Sequence, residues 1–282
     1  MTPFKKRVNV GALATYAVLS IASFIELFPS IWAILTSLKR NEDVFKLPIT
    51  YIPNPVTLMN YPKVFTELPQ IGMYFMNSVI YSVGTVVGLW IVGSLAGYAF
   101  GRLDFRGKSL GIALIITFMA IPGIVYLLPI YIMELRWGIT DTHLGVFLPF
   151  FIVQIPFSIF VMRGSFRALP SELEESAKID GASLFQIYRY VYLPLVTPGL
   201  ITVGIFSFLD VWNNLLYPLI LTQREVARPI TLGIYALQGE IQDYRWGTYA
   251  AGMVISALPC VLVFLLLQNY FIGGLTKGAI KG

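Results

Sequence analysis

Six stretches of this chain are apolar over lengths that suit only a membrane-crossing helix. They run from about 13 to 35, 73 to 100, 110 to 133, 144 to 161, 198 to 221 and 249 to 272. A helix needs about 20 mostly apolar residues to cross the hydrocarbon core. There every backbone N–H and C=O must be paired within the protein, which leaves helices or closed barrels. Barrel strands alternate in polarity over about 10 residues, whereas these runs are continuous. The pattern predicts an all-α, polytopic membrane protein: six transmembrane helices in a single domain over residues 1–282.

Composition narrows the function. Of 282 residues, 56% are hydrophobic and 12% charged, about half the roughly 25% charge of an ordinary soluble domain. A disordered chain and a secreted disulfide scaffold are excluded. The formal net charge of +5 is scattered among apolar runs, so no nucleic-acid partner is expected. The surface that the spans expose is met by membrane lipid. Cys260 is the single cysteine and His143 the single histidine. No metal site is expected, no catalytic residue is assigned, and an H-E-x-x-H enzyme is ruled out. No G-x-x-x-x-G-K-[ST] loop is present either, so any ATP-driven process needs its ATPase on another chain.

The first stretch follows Lys5, Lys6 and Arg7, as the apolar part of a signal peptide would. It is too long for one and no small-x-small cleavage site follows it, so it reads as an uncleaved span. With the N-terminus inside, the cytoplasmic segments hold 12 Lys and Arg and the external ones 8. That moderate bias puts both termini in the cytoplasm. The first external loop contains Pro48, Pro53, Pro55, Pro62 and Pro69 and reads as extended chain with short helices. The last external loop, about 222 to 248, is polar.

The cytoplasmic loop over 163–197 is the most informative segment. Pro170 and Ser171 mark a helix start, with Ser171 as N-cap and Glu174 completing a capping box. Gly181 ends or bends that helix. A second amphipathic stretch, Leu184 to Tyr192, places Phe185, Tyr188 and Tyr192 near one face. On physical grounds alone this is a short amphipathic helix at the membrane surface.

The run Glu175-Ser176-Ala177-x-x-x-Gly181, then nine residues, then Val191-x-Leu193-Pro194 resembles the E-A-A-x-x-x-G-x9-I-x-L-P loop. That loop belongs to permease subunits of binding-protein-dependent ABC importers. The sequence departs from it at Ser176 and Val191, both small changes. The surrounding residues resemble the carbohydrate-uptake branch. The C-terminal run Tyr270-Phe271-x-Gly273-Gly274-Leu275-Thr276-x-Gly278-Ala279-x-Lys281-Gly282 is similar to the second permease of the maltose-transporter (MalG-like) type.

The resemblance implies a type I ABC importer permease fold in a bacterial inner membrane. It implies as partners a second, homologous permease, two ABC ATPase subunits and an extracytoplasmic sugar-binding protein, with a sugar as substrate. No cofactor is expected in this chain, because ATP and Mg would sit on the ATPases. The loop would form a coupling helix docked in an ATPase cleft. Ser176, Ala177 and Gly181 would supply a small-residue face, Glu175 and Asp180 charge, and Leu193 and Pro194 the rest of the motif. Gly278, Ala279 and Lys281 of a cytoplasmic tail over 273–282 would reach the ATPase interface, with Gly273 and Gly274 ending the sixth span as C-caps.

Two acids fall inside spans. Glu26 is read as lying near the outer interface. Asp210, Asn213, Asn214 and Tyr217 recur at i, i+3, i+4 and i+7, and Ser207 extends the stripe. Trp212 points elsewhere, toward lipid or a partner helix. The stripe reads either as pathway lining or as a hydrogen-bonded seam with a neighbouring subunit. It also motivates a rival function, an ion-coupled secondary transporter using Asp210. Small residues in the second span, including Gly93, Ser94 and Gly97, are expected to permit close helix packing. Pro122 with Gly123, and Pro149 and Pro156, are expected to kink or hinge their helices.

Overall fold

The structure is a computed structural model that describes residues 10–237 and 245–279. In chain order its α-helices are α1 (Val10–Ser37), α2 (Asn60–Glu67), α3 (Ile71–Arg102), α4 (Lys108–Ala120), α5 (Gly123–Trp137) and α6 (His143–Arg167). They continue with α7 (Glu172–Ile179), α8 (Leu184–Gln186), α9 (Leu193–Leu195), α10 (Thr197–Asn213), α11 (Leu216–Leu221), α12 (Ile230–Ala236) and α13 (Trp246–Ala279). Among the described residues 4 helices are long and apolar enough to cross a membrane, and up to 6 spans result if each of two bent helix pairs counts as one.

Where the helices break corrects the sequence reading. The third expected span is two helices, α4 and α5, bent by 97°. Ile121, just before Pro122, is extended (φ −81°, ψ 123°), as the steric demand of the following proline ring requires. The hinge expected at Pro122 is therefore real. Pro149 and Pro156, by contrast, lie inside an unbroken α6. The fifth expected span is interrupted: α10 stops at Asn213, and Asn214 is extended (φ −73°, ψ 119°) before α11 begins. Gly273 and Gly274 do not end the last helix, which runs on to Ala279. Two mid-helix glycines cost about 1 kcal/mol each, too little to stop an established helix. Glu26 sits mid-way along α1, well inside the apolar stretch Ala14–Ser37 rather than at its outer end.

The chain falls into two compact units. The first holds the described residues up to Pro69 with those of Ile234–Ile255. Its pivot is Asn60, whose side-chain amide donates to the Ser37 and Lys39 carbonyls at 2.8 and 2.6 Å. Lys39 is buried, donates to the Thr50 carbonyl and lies 4.6 Å from the Trp32 ring centre. Burial lowers its ammonium pKa. The Asn41 carboxamide oxygen accepts from the Gly247 and Thr248 N–H groups and so caps the start of α13. Every described side chain from Ala14 to Ile31 on α1 is exposed.

The second unit, Gln70–Gly233 with Ser256 onward, is organised by α3, α6 and α10. Gly93, Gly97 and Gly101 recur every fourth residue on α3 and meet Ser158, Met162 and Phe166, also every fourth, on α6. A Cβ at Gly93 would lie 1.8 Å from the Ser158 hydroxyl, and one at Gly97 would lie 2.5 Å from the Met162 Cβ. Only glycine lets the two backbones approach this closely, the small-residue packing expected of helices that meet in lipid. Ser158 adds a hydrogen bond to the Leu89 carbonyl at 3.0 Å. The stretch taken as a polar external loop is partly interior, with Ala227, Ile230 and Leu232 buried.

Candidate functional site

The loop after α6 is held by the ends of two long helices. Arg102, last residue of α3, donates to the Leu169 and Pro170 carbonyls and lies 4.8 Å from the Tyr192 ring centre. This fixes the elbow between α6 and α7. Tyr98, Phe166, Tyr188 and Tyr192 form a buried aromatic cluster, with ring centres 5.4 to 6.3 Å apart. The Tyr188 hydroxyl meets Ser94 at 2.8 Å, and the Tyr192 hydroxyl donates to Glu174 at 3.1 Å. Sequence reading did not connect Arg102, Tyr98 or Ser94 with this loop, because they lie on α3 and meet it only after folding.

Ser171 does not cap α7 through its side chain. Its backbone is already helical, and Glu174 is drawn to Tyr192 and to Lys178 at 2.8 Å. The capping box stands twelve residues later, where Ser183 and Gln186 bond reciprocally at 2.8 and 3.4 Å. The S-x-x-Q pattern was there to be read.

Gly181 ends α7 at φ +80°, a region that side chains other than glycine enter with strain. Gly181 N–H bonds to the Lys178 carbonyl and Ala182 N–H to the Ala177 carbonyl, at 3.0 and 2.9 Å, which closes a Schellman turn. Among the described residues nothing lies within 4 Å of a Cβ placed there, so conformation rather than crowding demands glycine. Residues 187–192 then form a π-turn just ahead of Pro194. Proline supplies no N–H and its ring disturbs the preceding turn. Tyr188 and Tyr192 are buried, and Phe185, its ring centre 6.0 Å from that of Tyr188, stands at the open edge of the same group, 66% exposed.

The motif residues divide by exposure. Glu175, Ser176, Asp180, Gly181 and Pro194 face outward, while Ala177 and Leu193 pack against the aromatic cluster. The outcome is a short helix with charged and small groups on its outer side and its inner side seated on the 187–192 turn, whose Tyr188 and Tyr192 pack in turn on Tyr98 of α3 and Phe166 of α6.

The polar stripe of the fifth span is not one face. Ser207 is buried, with its hydroxyl unpartnered among the described residues. Asn214 caps α11 by accepting the Tyr217 N–H at 3.1 Å. Tyr217 is buried and donates to the Gly123 carbonyl at 2.8 Å, pinning the α4–α5 break. Trp212 faces inward rather than toward lipid, donating to the Ser256 carbonyl at 2.9 Å. Asp210 and Asn213 alone stay exposed. Asp210 accepts from Gln154 at 3.2 Å and opens on a cleft shared with Tyr126, Phe157 and Phe206. Gln154 and Tyr126 were missed, since they come from α6 and α5. Gly278 and Ala279 lie on the last turn of α13, and Lys281 lies outside the described residues.

Known proteins resemble this chain in sequence and in fold. Residues 90–277 match the model of a family described as binding-protein-dependent transport system inner membrane component. The chain is 36% identical over 263 residues to the trehalose transport system permease protein SugB of Mycobacterium tuberculosis, covering 91% of this chain and 93% of that one. It is 32% identical over 262 residues to the arabinooligosaccharides transport system permease protein AraQ of Halalkalibacterium halodurans, covering 92% and 93%. The fold matches a chain in the crystal structure of a bacterial ABC transporter that imports the acidic polysaccharide alginate. The TM-score is 0.81 at 22% identity, over 96% of this chain and 100% of that one.

Proposed function

This chain belongs to the family of binding-protein-dependent transport system inner membrane components, and from that premise we infer that it is a permease subunit of a sugar ABC importer. It forms half of a translocation pathway with a second, homologous permease. Two ATPase subunits bind ATP and Mg on the cytoplasmic side, and a sugar-loaded binding protein docks on the other. Both termini and the loop around α7 face the cytoplasm, in keeping with the Lys and Arg bias.

The observation that carries this reading is the split within α7. Glu175, Ser176 and Asp180 are exposed on the outside while the inner side rests on the 187–192 turn, which the tyrosine cluster ties to α3 and α6. A helix so seated passes a push from the ATPases into two long helices as a rigid-body movement. The chain itself performs no bond chemistry. Its share of the pathway is the cleft at Asp210, where a carboxylate, an amide and aromatic faces meet without Lys or Arg. Those groups suit the hydroxyls and apolar faces of a neutral sugar. The ion-coupled alternative built on Asp210 is not favoured, since it leaves the loop motif and the family match without a role.

The test is reconstitution in proteoliposomes with the second permease, the ATPases and sugar-loaded binding protein. Glu175→Ala removes a charge-assisted hydrogen bond to the ATPase, about 1.5–3 kcal/mol. The variant is expected to insert and to dock the binding protein, yet to lose ATPase stimulation and uptake together. Wild-type stimulation and uptake in the variant would overturn the assignment of α7 as the transmission element.

A further inference from the structure

We propose that the basic cleft between the ends of α3 and α6 and the start of α7 binds the phosphate of an anionic phospholipid through Arg163 and Arg167. Five basic and three acidic residues line the cleft. Most of that charge is already committed. Lys108 pairs with Asp104 at 3.1 Å and Lys178 with Glu174 at 2.8 Å. Arg102 is spent on the Leu169 and Pro170 carbonyls and the Tyr192 ring. Of the acids only Glu175 remains, the residue assigned above to the ATPase.

Arg163 and Arg167 are left over. They stand one turn apart on one face of α6, and among the described residues neither forms an ion pair. The Arg163 Nε, like that of Arg102, is buried without an acceptor among the described residues, so a ligand oxygen in the cleft would meet the outer guanidinium nitrogens. Two guanidinium forks one turn apart match the geometry of a phosphate.

The surroundings favour a lipid as the source of that phosphate. The cleft lies at the ends of membrane-length helices, the depth of headgroups. From Lys108, at the cleft, α4 carries Leu110 and Leu114 outward one turn apart, 66% and 49% exposed. That strip is a track for an acyl chain descending from a headgroup held at the two arginines. Placing the site in the cytoplasmic leaflet, where anionic lipid is abundant, rests on the orientation proposed above.

The experiment uses the assembled transporter in phosphatidylcholine nanodiscs carrying spin-labelled phosphatidylglycerol or spin-labelled phosphatidylcholine. The wild type is expected to immobilise the anionic lipid about tenfold more strongly than the neutral one. Arg163→Gln with Arg167→Gln is expected to bring the two lipids to parity. Arg163→Lys with Arg167→Lys keeps most of the preference, and Arg136→Gln, on α5, keeps all of it. Parity in the wild type, or an unchanged preference in a folded double Gln variant, overturns the proposal. So does competition by inorganic phosphate, which marks a site for free anion. A lipid preference seen with the permease pair alone but lost in the assembled transporter also overturns it, since the cleft is then a protein interface. ATP-driven uptake is measured on the same preparations. Uptake without lipid preference sinks the lipid site alone, and lipid preference without uptake sinks the transport reading alone.

Discussion

The loop around α7 and the cleft at Asp210 belong to the same unit, yet they are built by opposite rules. At the loop, three helices converge and side chains tie them together. Arg102 holds the elbow carbonyls, Ser94 holds Tyr188, and Glu174 holds Tyr192. At the cleft the helices come apart, with a 97° bend between α4 and α5 and a break at Asn214. There a carboxylate is left with one amide neighbour. A region that transmits force needs stiffness, and a region that passes substrate needs polar groups not fully spent on the protein. Between them runs the α3–α6 seam, where glycines bring two backbones into contact. If this contrast is correct, substitutions should separate by place: those at the seam and loop should break coupling, and those at the cleft should change only what passes.

The largest effect is expected at the seam. In Gly97→Leu the new side chain starts 2.5 Å from the Met162 Cβ and 3.0 Å from the Arg163 nitrogen, so α3 and α6 must separate. The cost is about 3 kcal/mol, read as a lower unfolding temperature of the purified permease pair and loss of assembly. An unchanged melting temperature would mean the seam is not the rigid link.

Next comes Gly181. Leucine at φ +80° carries about 1–2 kcal/mol of backbone strain, whereas asparagine tolerates that region. Gly181→Leu should lose uptake and ATPase stimulation together, and Gly181→Asn should keep most of both. Equal loss in the two variants would show that space in the ATPase cleft, not backbone conformation, sets the limit.

Tyr192→Phe removes one hydroxyl from the aromatic cluster and leaves the packing intact. Losing its bond to Glu174 should cost about 1 kcal/mol. The expected reading is a modest fall in ATP-coupled uptake with normal insertion. No change in coupling would show that packing alone stiffens the loop.

Smallest in its effect on assembly, and the sharpest on the contrast itself, is Asp210→Asn. The carboxylate charge goes while a group of the same shape still meets Gln154. ATPase docking and basal hydrolysis should stay unchanged, while sugar uptake falls several-fold, about 1 kcal/mol at the barrier. Dissociation of the ATPases from this variant would erase the division between the two regions.

Much of the molecule was legible in one dimension. The apolar runs required helices, because the bilayer offers no other partner for the backbone. The loop motif named its own helix, and Gly181 ended it for a reason any chain would obey, since glycine alone enters that conformation without strain. The bend at Pro122 followed from the proline before any neighbour was known. The stripe from Ser207 to Tyr217 could not be read this way. Its spacing assumed one unbroken helix, and the break at Asn214 resets the phase, so that Tyr217 turns to Gly123; Ser207, ahead of the break on α10, is covered by neighbouring helices instead. Periodicity carries information only as far as the hydrogen-bond ladder continues. Where the ladder is interrupted, direction is set by partners far along the chain, Arg102 for the loop and Gln154 for the cleft, and only the packed structure brings those partners near.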